Sequence, residues 1–170
     1  TIAGPLFNIL LAYICGVIIA SAYGVILPEV QMVMENSAAE EAGILPGVMI
    51  TKLNGHNVHL SAEVSFTSYF SEGKPIKVTV KRDGKKMDFV VTPQYDEEDQ
   101  RYYMGLANGK YLECNAPQSL LYGFYNVEYM LKATVESIRM LFTGQVGKDD
   151  VSGPVGIVKV VDETYDSAKP

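Results

Sequence analysis

This chain of 170 residues is 48% hydrophobic and carries 14 Lys and Arg against 20 Asp and Glu, for a net charge of −6. That size allows one domain with a real core plus extra elements, whereas the acidic balance and the lack of a basic run argue against nucleic acid as a partner. The two cysteines, Cys15 and Cys114, lie far apart in dissimilar surroundings, so the sequence does not indicate a disulfide framework.

The N-terminal segment, residues 1–27, contains no charged side chain. About 20 helical residues cross the hydrocarbon core of a bilayer, and the core helix of a soluble protein would show a polar face instead. We therefore predict a transmembrane helix from about Pro5 to Tyr23.

Two features stand at the start of this helix. Gly4 and Pro5 place a flexible residue and a helix-starting proline at the membrane entry. Asn8 follows one turn later, and a polar amide in lipid needs a hydrogen-bonding partner. Its role stays open between a packing hydrogen bond to another helix and a role near an active site.

A soluble domain is predicted at 28–108, and it opens with an alternating strand at Glu29–Met34. Ser37 and Glu40 have the spacing of a capping box at the start of a short helix. Gly43 can end that helix in the left-handed conformation.

Three further segments complete the predicted domain. A turn at Pro46-Gly47 leads into an apolar strand, which ends at the hairpin signal Asn54-Gly55. Ser61 is predicted to cap a helix at Ala62–Phe70. Two alternating strands then flank the hairpin turn Asp83-Gly84.

The order of short helix, glycine, Pro-Gly turn, apolar strand and Asn-Gly turn in residues 36–55 resembles the signature of a PDZ domain. One position departs, because Val48 stands where a polar residue usually follows Gly47. The resemblance implies an α+β fold, a small β-barrel or sandwich with two helices. The alternative is a generic α+β domain with a helix-turn-strand unit.

The carboxylate-binding loop of PDZ domains looks like residues 103–106 here, at the end of the domain rather than its start. The resemblance therefore implies a circularly permuted PDZ domain, in which a bound peptide adds as a strand beside the residues after the loop and the helix Ala62–Phe70 forms the other wall. The candidate peptide-binding residues are Val64, Tyr103, Met104, Gly105 and Leu106.

Gly105 is the critical residue of this loop, since glycine lets successive N–H groups converge on an anion. The simpler alternative is an ordinary turn glycine. We expect a bulky substitution of Gly105 to abolish binding of a peptide carboxylate and to leave the domain folded.

A linker at 109–119 precedes a predicted helix at 120–143, which has apolar residues at helical spacing. Four charged residues lie along one stripe of it, and they make a lipid-exposed span costly. Two placements stay open: an amphipathic helix in the membrane interface, or a helix whose later part enters the membrane with its polar face against other helices.

The last segment, 144–170, contains Gly153 and Pro154 in a loop with the pattern SGPVGI. Together with Gly4-Pro5, Asn8 and the PDZ signature, this ordered set resembles the site-2 protease family. These intramembrane zinc metalloproteases include the bacterial regulator of sigma-E protease. The family has an AGPxxN segment opening its second membrane helix, then one or two PDZ domains outside the cytoplasm, then a TG…SGPxGI pattern. The resemblance covers essentially the whole chain.

The resemblance implies a zinc metalloendopeptidase in the cell membrane, with membrane lipid and a transmembrane protein or peptide substrate as partners. The family holds zinc with HExxH and LDG motifs, and this sequence has neither. We therefore expect the ligands to lie outside residues 1–170 and the chain alone to be inactive and to bind no zinc. The PDZ domain is expected on the extracytoplasmic face of a multi-pass protein, where it gates or recruits substrate.

The two histidines, His56 and His59, are predicted to lie exposed in a loop beside a turn and not to form a metal site. Two other functions stay open: a non-catalytic membrane-tethered PDZ adaptor that binds peptide C-termini, and a piece of a PDZ-bearing serine protease or a secretion-system component. The SGPVGI segment favours the metalloprotease, because neither alternative needs it.

Overall fold

The computed structural model of the chain describes residues 3–97 and 101–143. The chain divides into two compact units, residues 1–130 and 131–170. The predicted loop segment 144–170, with Gly153 and Pro154, lies outside the described residues.

The described residues form four helices and eight strands in an α+β arrangement. The helices are α1 (Ala3–Tyr23), α2 (Ala38–Glu41), α3 (Ser61–Tyr69) and α4 (Ala116–Thr143). The strands are β1 (Val25–Val33), β2 (Met49–Leu53), β3 (His56–Asn57), β4 (Ile76–Arg82), β5 (Lys85–Val91), β6 (Gln94–Asp96), β7 (Arg101–Tyr103) and β8 (Leu106–Leu112).

The main sheet has the order β5-β4-β2-β1-β8, with β3 paired to β2, and all of its pairs are antiparallel. Strands β6 and β7 form a separate two-stranded sheet. The strand that follows the candidate loop, β8, lies at one edge, as a circularly permuted PDZ domain requires. The sequence left a barrel and a sandwich open, and the described residues do not form a closed barrel, because β5 and β8 stand at opposite ends of an open path.

Local sequence signals account for the turns. Ser37 accepts a hydrogen bond from the amide of Glu40, so the predicted N-cap is confirmed. The Glu40 carboxylate accepts from the amide of Asn36 and not from that of Ser37, so the second half of the predicted capping box is shifted by one residue. The Asn54-Gly55 and Asp83-Gly84 pairs both have positive φ at both residues. This is the geometry of a tight hairpin turn.

Two strands extend past the predicted domain limits of 28 and 108. Strand β1 begins at Val25 and β8 ends at Leu112, and these two residues are directly paired. Residues 25–27 were predicted to belong to the membrane helix, because an uncharged apolar run fits a membrane helix and a β-strand equally well. Gly24, at φ +67°, ends α1 and turns the chain into the strand. The linker at 109–119 is correspondingly shorter, since α4 begins at Ala116.

The predicted cap of α3 is also wrong. Ser61 is the first helical residue, and its hydroxyl donates to the carbonyl of Asn108 across the domain. The amides at the helix start are satisfied instead by the Glu63 carboxylate, which accepts from His59 and Leu60.

The core lies between the main sheet and the helices α2 and α3. Burying one Val or Ile side chain contributes about 1.5–3 kcal/mol to the free energy of folding. The buried apolar residues of this core therefore supply the main stabilisation of the domain. Its most buried members are Val30, Ala39, Ile44, Val48, Ile50, Val64, Ile76, Val78, Val80 and Val91.

Helix α1 is long and apolar enough to cross a membrane, and it is the one helix among the described residues that meets this test. It contacts the first part of α4, where the Tyr13 hydroxyl donates to the carbonyl of Leu120 at 3.3 Å. Gly16 and Gly123 allow the two backbones to approach closely. A cluster of tyrosines packs around Ala20 beside this contact.

Candidate functional site

A groove runs between the edge strand β8 and helix α3. Its volume is about 780 Å³, within the range of ligand-binding clefts. The backbone of β8 pairs with β1 on one side only, so its other side faces the groove. The lining residues are Met34, Ala62, Val64, Ser65, Phe66, Ser68, Tyr69, Phe70, Tyr129 and residues 101–108.

The loop before β8 is anchored through its carbonyl groups. The carbonyl of Met104 accepts a hydrogen bond from the amide of Ala39 at 2.9 Å. The carbonyl of Gly105 accepts one from the amide of Met34 at 2.8 Å and a second from the Ser37 hydroxyl at 3.2 Å. Both carbonyls are thereby held toward β1 and α2.

This anchoring fixes the direction of the next two amides. In a trans peptide group the N–H points opposite to the carbonyl of the same group. The amides of Gly105 and Leu106 therefore point away from the residues that hold the two carbonyls, toward the open side of β8. Two adjacent amides in this arrangement form a site suited to a carboxylate.

Gly105 is required at this position for two reasons. Its φ of +75° is one that L side chains rarely adopt. A Cβ built on it would lie 2.0 Å from the Cβ of Ser37 and 2.6 Å from its Oγ. Whether a domain with a bulky residue at 105 still folds stays a prediction, and the structure argues against it, because the added side chain would displace the cap of α2.

The groove is apolar and rich in aromatic side chains on its helix side. Val64 is 1% exposed and forms part of its floor. Phe66 stacks at a tilt on Phe70 and meets Tyr129 of α4 edge-on, with ring centroids 5.8 Å apart. Arg101 also contributes to the lining of the groove.

The groove narrows at the start of α3. The Ser61 hydroxyl donates to the carbonyl of Asn108 at 2.9 Å. The side-chain amide of Asn108 donates back to the Ser61 carbonyl at 3.1 Å and lies 2.9 Å from its hydroxyl oxygen. These contacts connect β8 directly to α3. They could not be predicted from the sequence, since the two residues are far apart in the chain and belong to no motif.

His59 does not lie exposed as predicted. Its ring stacks on Tyr125 of α4 with 3.6 Å between centroids, and it is half-buried. His56 is exposed, and it lies in β3 rather than in a loop.

The structure brings all five predicted peptide-binding residues to this groove: Val64, Tyr103, Met104, Gly105 and Leu106. The other predicted group, Gly4, Pro5 and Asn8, lies on the exposed first turns of α1 and takes no part in the groove. Tyr129 and the Ser61–Asn108 pair were missed by sequence reasoning.

The described residues offer little for covalent or metal chemistry. In residues 3–97 and 101–143, no group of three His, Cys, Asp or Glu side chains could hold a metal ion. Burial raises the pKa of the Cys114 thiol, which keeps it in the poorly nucleophilic protonated form. The two outward amides and the apolar walls of the groove suit the binding of an apolar chain that ends in a carboxylate.

Several solved PDZ domains have local similarity to this chain. The crystal structure of the PDZ domain of an SdrC-like protein from Listeria monocytogenes is 17% identical, with a TM-score of 0.42, and covers 51% of this chain and 90% of that domain. The HtrA3 PDZ domain bound to a phage-derived ligand is 29% identical, with a TM-score of 0.36, and covers 39% of this chain and 62% of that one.

Sequence relatives extend over almost the whole chain. A Clostridium acetobutylicum protein, named as a candidate zinc metalloprotease, is 33% identical over 94% of this chain and 47% of its own length. The regulator of sigma-W protease RasP of Bacillus subtilis is 30% identical over 95% of this chain and 39% of its own. The zinc metalloprotease RasP of Geobacillus kaustophilus is 31% identical over 92% and 38%. The chain thus spans less than half the length of these relatives.

The family model that matches the chain is peptidase family M50, and the match covers residues 1–169. It includes the membrane helix, the PDZ domain and α4 in one alignment, as the sequence resemblance implied. This chain belongs to peptidase family M50.

Proposed function

We propose that this chain is the substrate-recognition part of a membrane-embedded zinc metalloprotease that performs regulated intramembrane proteolysis, and that its groove binds the C-terminal end of a peptide chain. The observation that carries the binding proposal is the direction of the Gly105 and Leu106 amides. Their peptide groups are held from behind by three hydrogen bonds, so the site is preorganised for a carboxylate.

Family membership supports the protease half of the proposal, and so do the names of the relatives. The long apolar helix α1 supports a membrane location. In this proposal the protein crosses the membrane several times and carries the PDZ domain on the extracytoplasmic side.

Zinc has no fitting site among the residues that the structure describes. The His59 ring stacks on Tyr125, and among the described residues neither His59 nor His56 belongs to a group of three His, Cys, Asp or Glu side chains that could hold a metal ion. We therefore propose that the zinc ligands lie in other parts of the protein and that this chain, by itself, hydrolyses nothing.

The binding proposal is tested by filling the groove. Ser65 is exposed on α3 and lines the groove, so Ser65→Trp would block it without touching the core. Lys86→Trp is the matched control, because Lys86 is exposed on β5 and is absent from the groove lining.

The probe is the hexapeptide acetyl-Ala-Ala-Ala-Ala-Ala-Phe with a free carboxylate, compared with the same peptide ending in a carboxamide. The 170-residue chain in lipid nanodiscs is titrated while the NMR shifts of the Gly105 and Leu106 amides are followed. We expect saturable shifts with the acid, at least tenfold weaker binding of the amide, and loss of binding in Ser65→Trp only. Equal binding of acid and amide would overturn the carboxylate site.

The protease proposal is tested on the full-length protein in liposomes. Removing zinc with a chelator should stop cleavage of a membrane substrate, and zinc should restore it. Cleavage that continues at full rate after complete zinc removal would refute this part of the proposal and leave the groove proposal standing.

A further inference from the structure

Helix α1 is joined to the PDZ domain without a flexible linker. It ends at Tyr23 and β1 begins at Val25, so Gly24 alone connects the two elements. The amide of Gly24 still donates to the carbonyl of Ala20 at 3.0 Å, which continues the hydrogen bonding of the helix up to this junction. If α1 crosses the membrane, as the proposed function has it, β1 therefore begins at the membrane surface.

A second, small core fixes the junction between α1 and β1. Ala20 of α1, Val25 of β1 and Leu60, which precedes α3, are buried in one cluster. Tyrosines of α4 pack against the same cluster. Since the membrane helix, the sheet and α4 share this packing, the PDZ domain cannot swing freely about the junction.

The surface around the junction is apolar and exposed. Ile26 and Tyr111 are directly opposite each other on β1 and β8, and both are more than half exposed. The Tyr111 ring covers the junction, because two of its carbon atoms lie 2.9 Å from the position of a Cβ on Gly24. Tyr23, the last residue of α1, is also exposed. We call Tyr23, Ile26 and Tyr111 the junction patch.

The chemistry of the junction patch suits the boundary of a bilayer. Tyrosine is enriched at membrane–water interfaces, because its ring is apolar and its hydroxyl is polar. Helix α1 has 21 residues, which at 1.5 Å per residue give a length of about 31 Å, close to the hydrocarbon thickness of about 30 Å. The patch at its end then lies at the level of the lipid head groups, where the exposed charge of Glu113 after β8 is also tolerated.

The first turns of α4 provide an independent measure of depth. A Cβ on Gly16 of α1 would lie 3.3 Å from the carbonyl oxygen of Gly123 in α4, and Gly16 lies about 10 Å before the end of α1 at 1.5 Å per residue. The contact is therefore beside the part of α1 that spans the acyl chains. Residues 116–127 carry no charge, and Leu120 and Phe124 among them are exposed.

We infer that the PDZ domain is seated on the phospholipid bilayer rather than tethered above it. The junction patch lies among the lipid head groups, and the first turns of α4 lie among the acyl chains beside α1. This inference rests on the membrane location in the proposed function and adds the orientation of the domain. Because β8 carries part of the patch and also forms one wall of the groove, the groove is held at a fixed distance from the membrane.

The inference is tested with single tryptophans, since the chain contains none. The 170-residue chain is placed in nanodiscs of phosphatidylcholine that carries bromine either near the head group or deep in the acyl chains, because bromine quenches tryptophan fluorescence on contact. Tyr111→Trp reports on the junction patch, Phe124→Trp on α4 and Ile18→Trp on the exposed face of α1. Lys86→Trp is the control, because β5 lies at the opposite edge of the sheet from β8.

We expect bromine near the head group to quench Tyr111→Trp by at least half, and deep bromine to quench Phe124→Trp and Ile18→Trp by at least half. Lys86→Trp should keep its full fluorescence in both lipids. If Ile18→Trp is quenched but either Tyr111→Trp or Phe124→Trp is not, the seated arrangement is overturned and the membrane location stands. If Ile18→Trp is not quenched, the membrane location is overturned together with this inference.

A measurement on the native chain guards against a folding defect in the variants. Lipid with a nitroxide on its head group broadens the NMR signals of amides that lie close to it. We expect strong broadening for residues 24–27 and 110–112, and none for the hairpin turn Asp83-Gly84. Equal broadening of the two regions would show that the domain moves freely above the surface and would contradict the seated arrangement.

Discussion

The hydroxyl of Ser37 and the backbone of Gly105 are joined across 68 positions of sequence. The Ser37 Oγ donates to the Gly105 carbonyl at 3.2 Å, and its Cβ stands where a Gly105 side chain would begin. The same oxygen caps α2 by accepting from the amide of Glu40. One buried serine thus connects helix α2 to the candidate carboxylate loop. Its hydroxyl makes both hydrogen bonds, so the helix cap and the loop conformation depend on the same side chain.

Removing this hydroxyl should weaken both elements. Ser37→Ala loses an N-cap, which costs about 1 kcal/mol, and a buried hydrogen bond worth roughly another 1 kcal/mol. We expect the free energy of unfolding of the soluble domain to fall by about 1–2 kcal/mol, as measured by urea unfolding of the chain in nanodiscs. Ser65→Ala, at an exposed groove position, is the control. A variant as stable as the native chain would show that the bridge to Gly105 contributes nothing.

The steric role of Gly105 can be separated from its φ angle. Gly105→Ala and Gly84→Ala place the same side chain at φ values of +75° and +80°. Gly84 has nothing within 4 Å of its Cβ position, so its substitution should cost about 1–2 kcal/mol for the backbone conformation alone. Gly105→Ala should cost about 1–3 kcal/mol more, because Ser37 is displaced. Equal losses in the two variants would argue against the close contact.

The contact between α1 and α4 depends on Gly123. Alanine normally stabilises a helix interior by about 1 kcal/mol relative to glycine. A Cβ on Gly123 would, however, lie 2.5 Å from Cγ2 of Val17 and 3.0 Å from its backbone nitrogen. We expect Gly123→Ala to lower the Tm in nanodiscs, whereas Gly4→Ala, with open space around it, should not lower it. A rise in Tm for Gly123→Ala would mean that the helices do not pack at this point.

A fall in pH should weaken the contact between Asp88 on β5 and the side chains of Lys77 and Thr79 on β4. Hydrogen bonds from Lys77 and Thr79 hold the pKa of Asp88 below its usual value. Because the pKa is lower in the folded state, this contact stabilises the fold above the unfolded-chain pKa of about 3.9. Its contribution is lost as the pH falls through the folded-state pKa.

The effect on Asp88 is measured by following its carboxyl carbon in an NMR titration. Lys77→Met removes the leading cause of the shift, so the pKa of Asp88 should rise in that variant. Asp88→Asn should remove the matching part of the acid dependence of stability. A titration midpoint that does not move in Lys77→Met would assign the shift to Thr79 instead.

Local signals in the sequence were sufficient for the turns and caps of the PDZ fold. The helix cap at Ser37 and the hairpin turns at Asn54-Gly55 and Asp83-Gly84 each involve residues within four positions of one another, so nearby residues determine their geometry. The long apolar helix α1 could also be predicted from the sequence, because its length and lack of charge do not depend on contacts with other segments.

Elements that depend on distant partners were predicted less well. Val25–Leu27 looked like the end of a membrane helix, and only pairing with residues 110–112 makes it a strand. Ser61 looked like a helix cap, and its hydroxyl instead serves a residue 47 positions away. The groove narrows at this contact between Ser61 and Asn108, so its extent could not be predicted from the spacing of residues in the sequence.

By itself, the sequence determined a membrane helix, a permuted PDZ module and membership of a protease family, because each is encoded in contiguous patterns of polarity and turn residues. Only the tertiary structure decided which amides of the loop face outward, where the groove beside β8 narrows, and why a side chain at Gly105 would displace Ser37. These properties depend on hydrogen bonds and close contacts between segments that are distant in the chain. Such contacts cannot be predicted from a local sequence pattern.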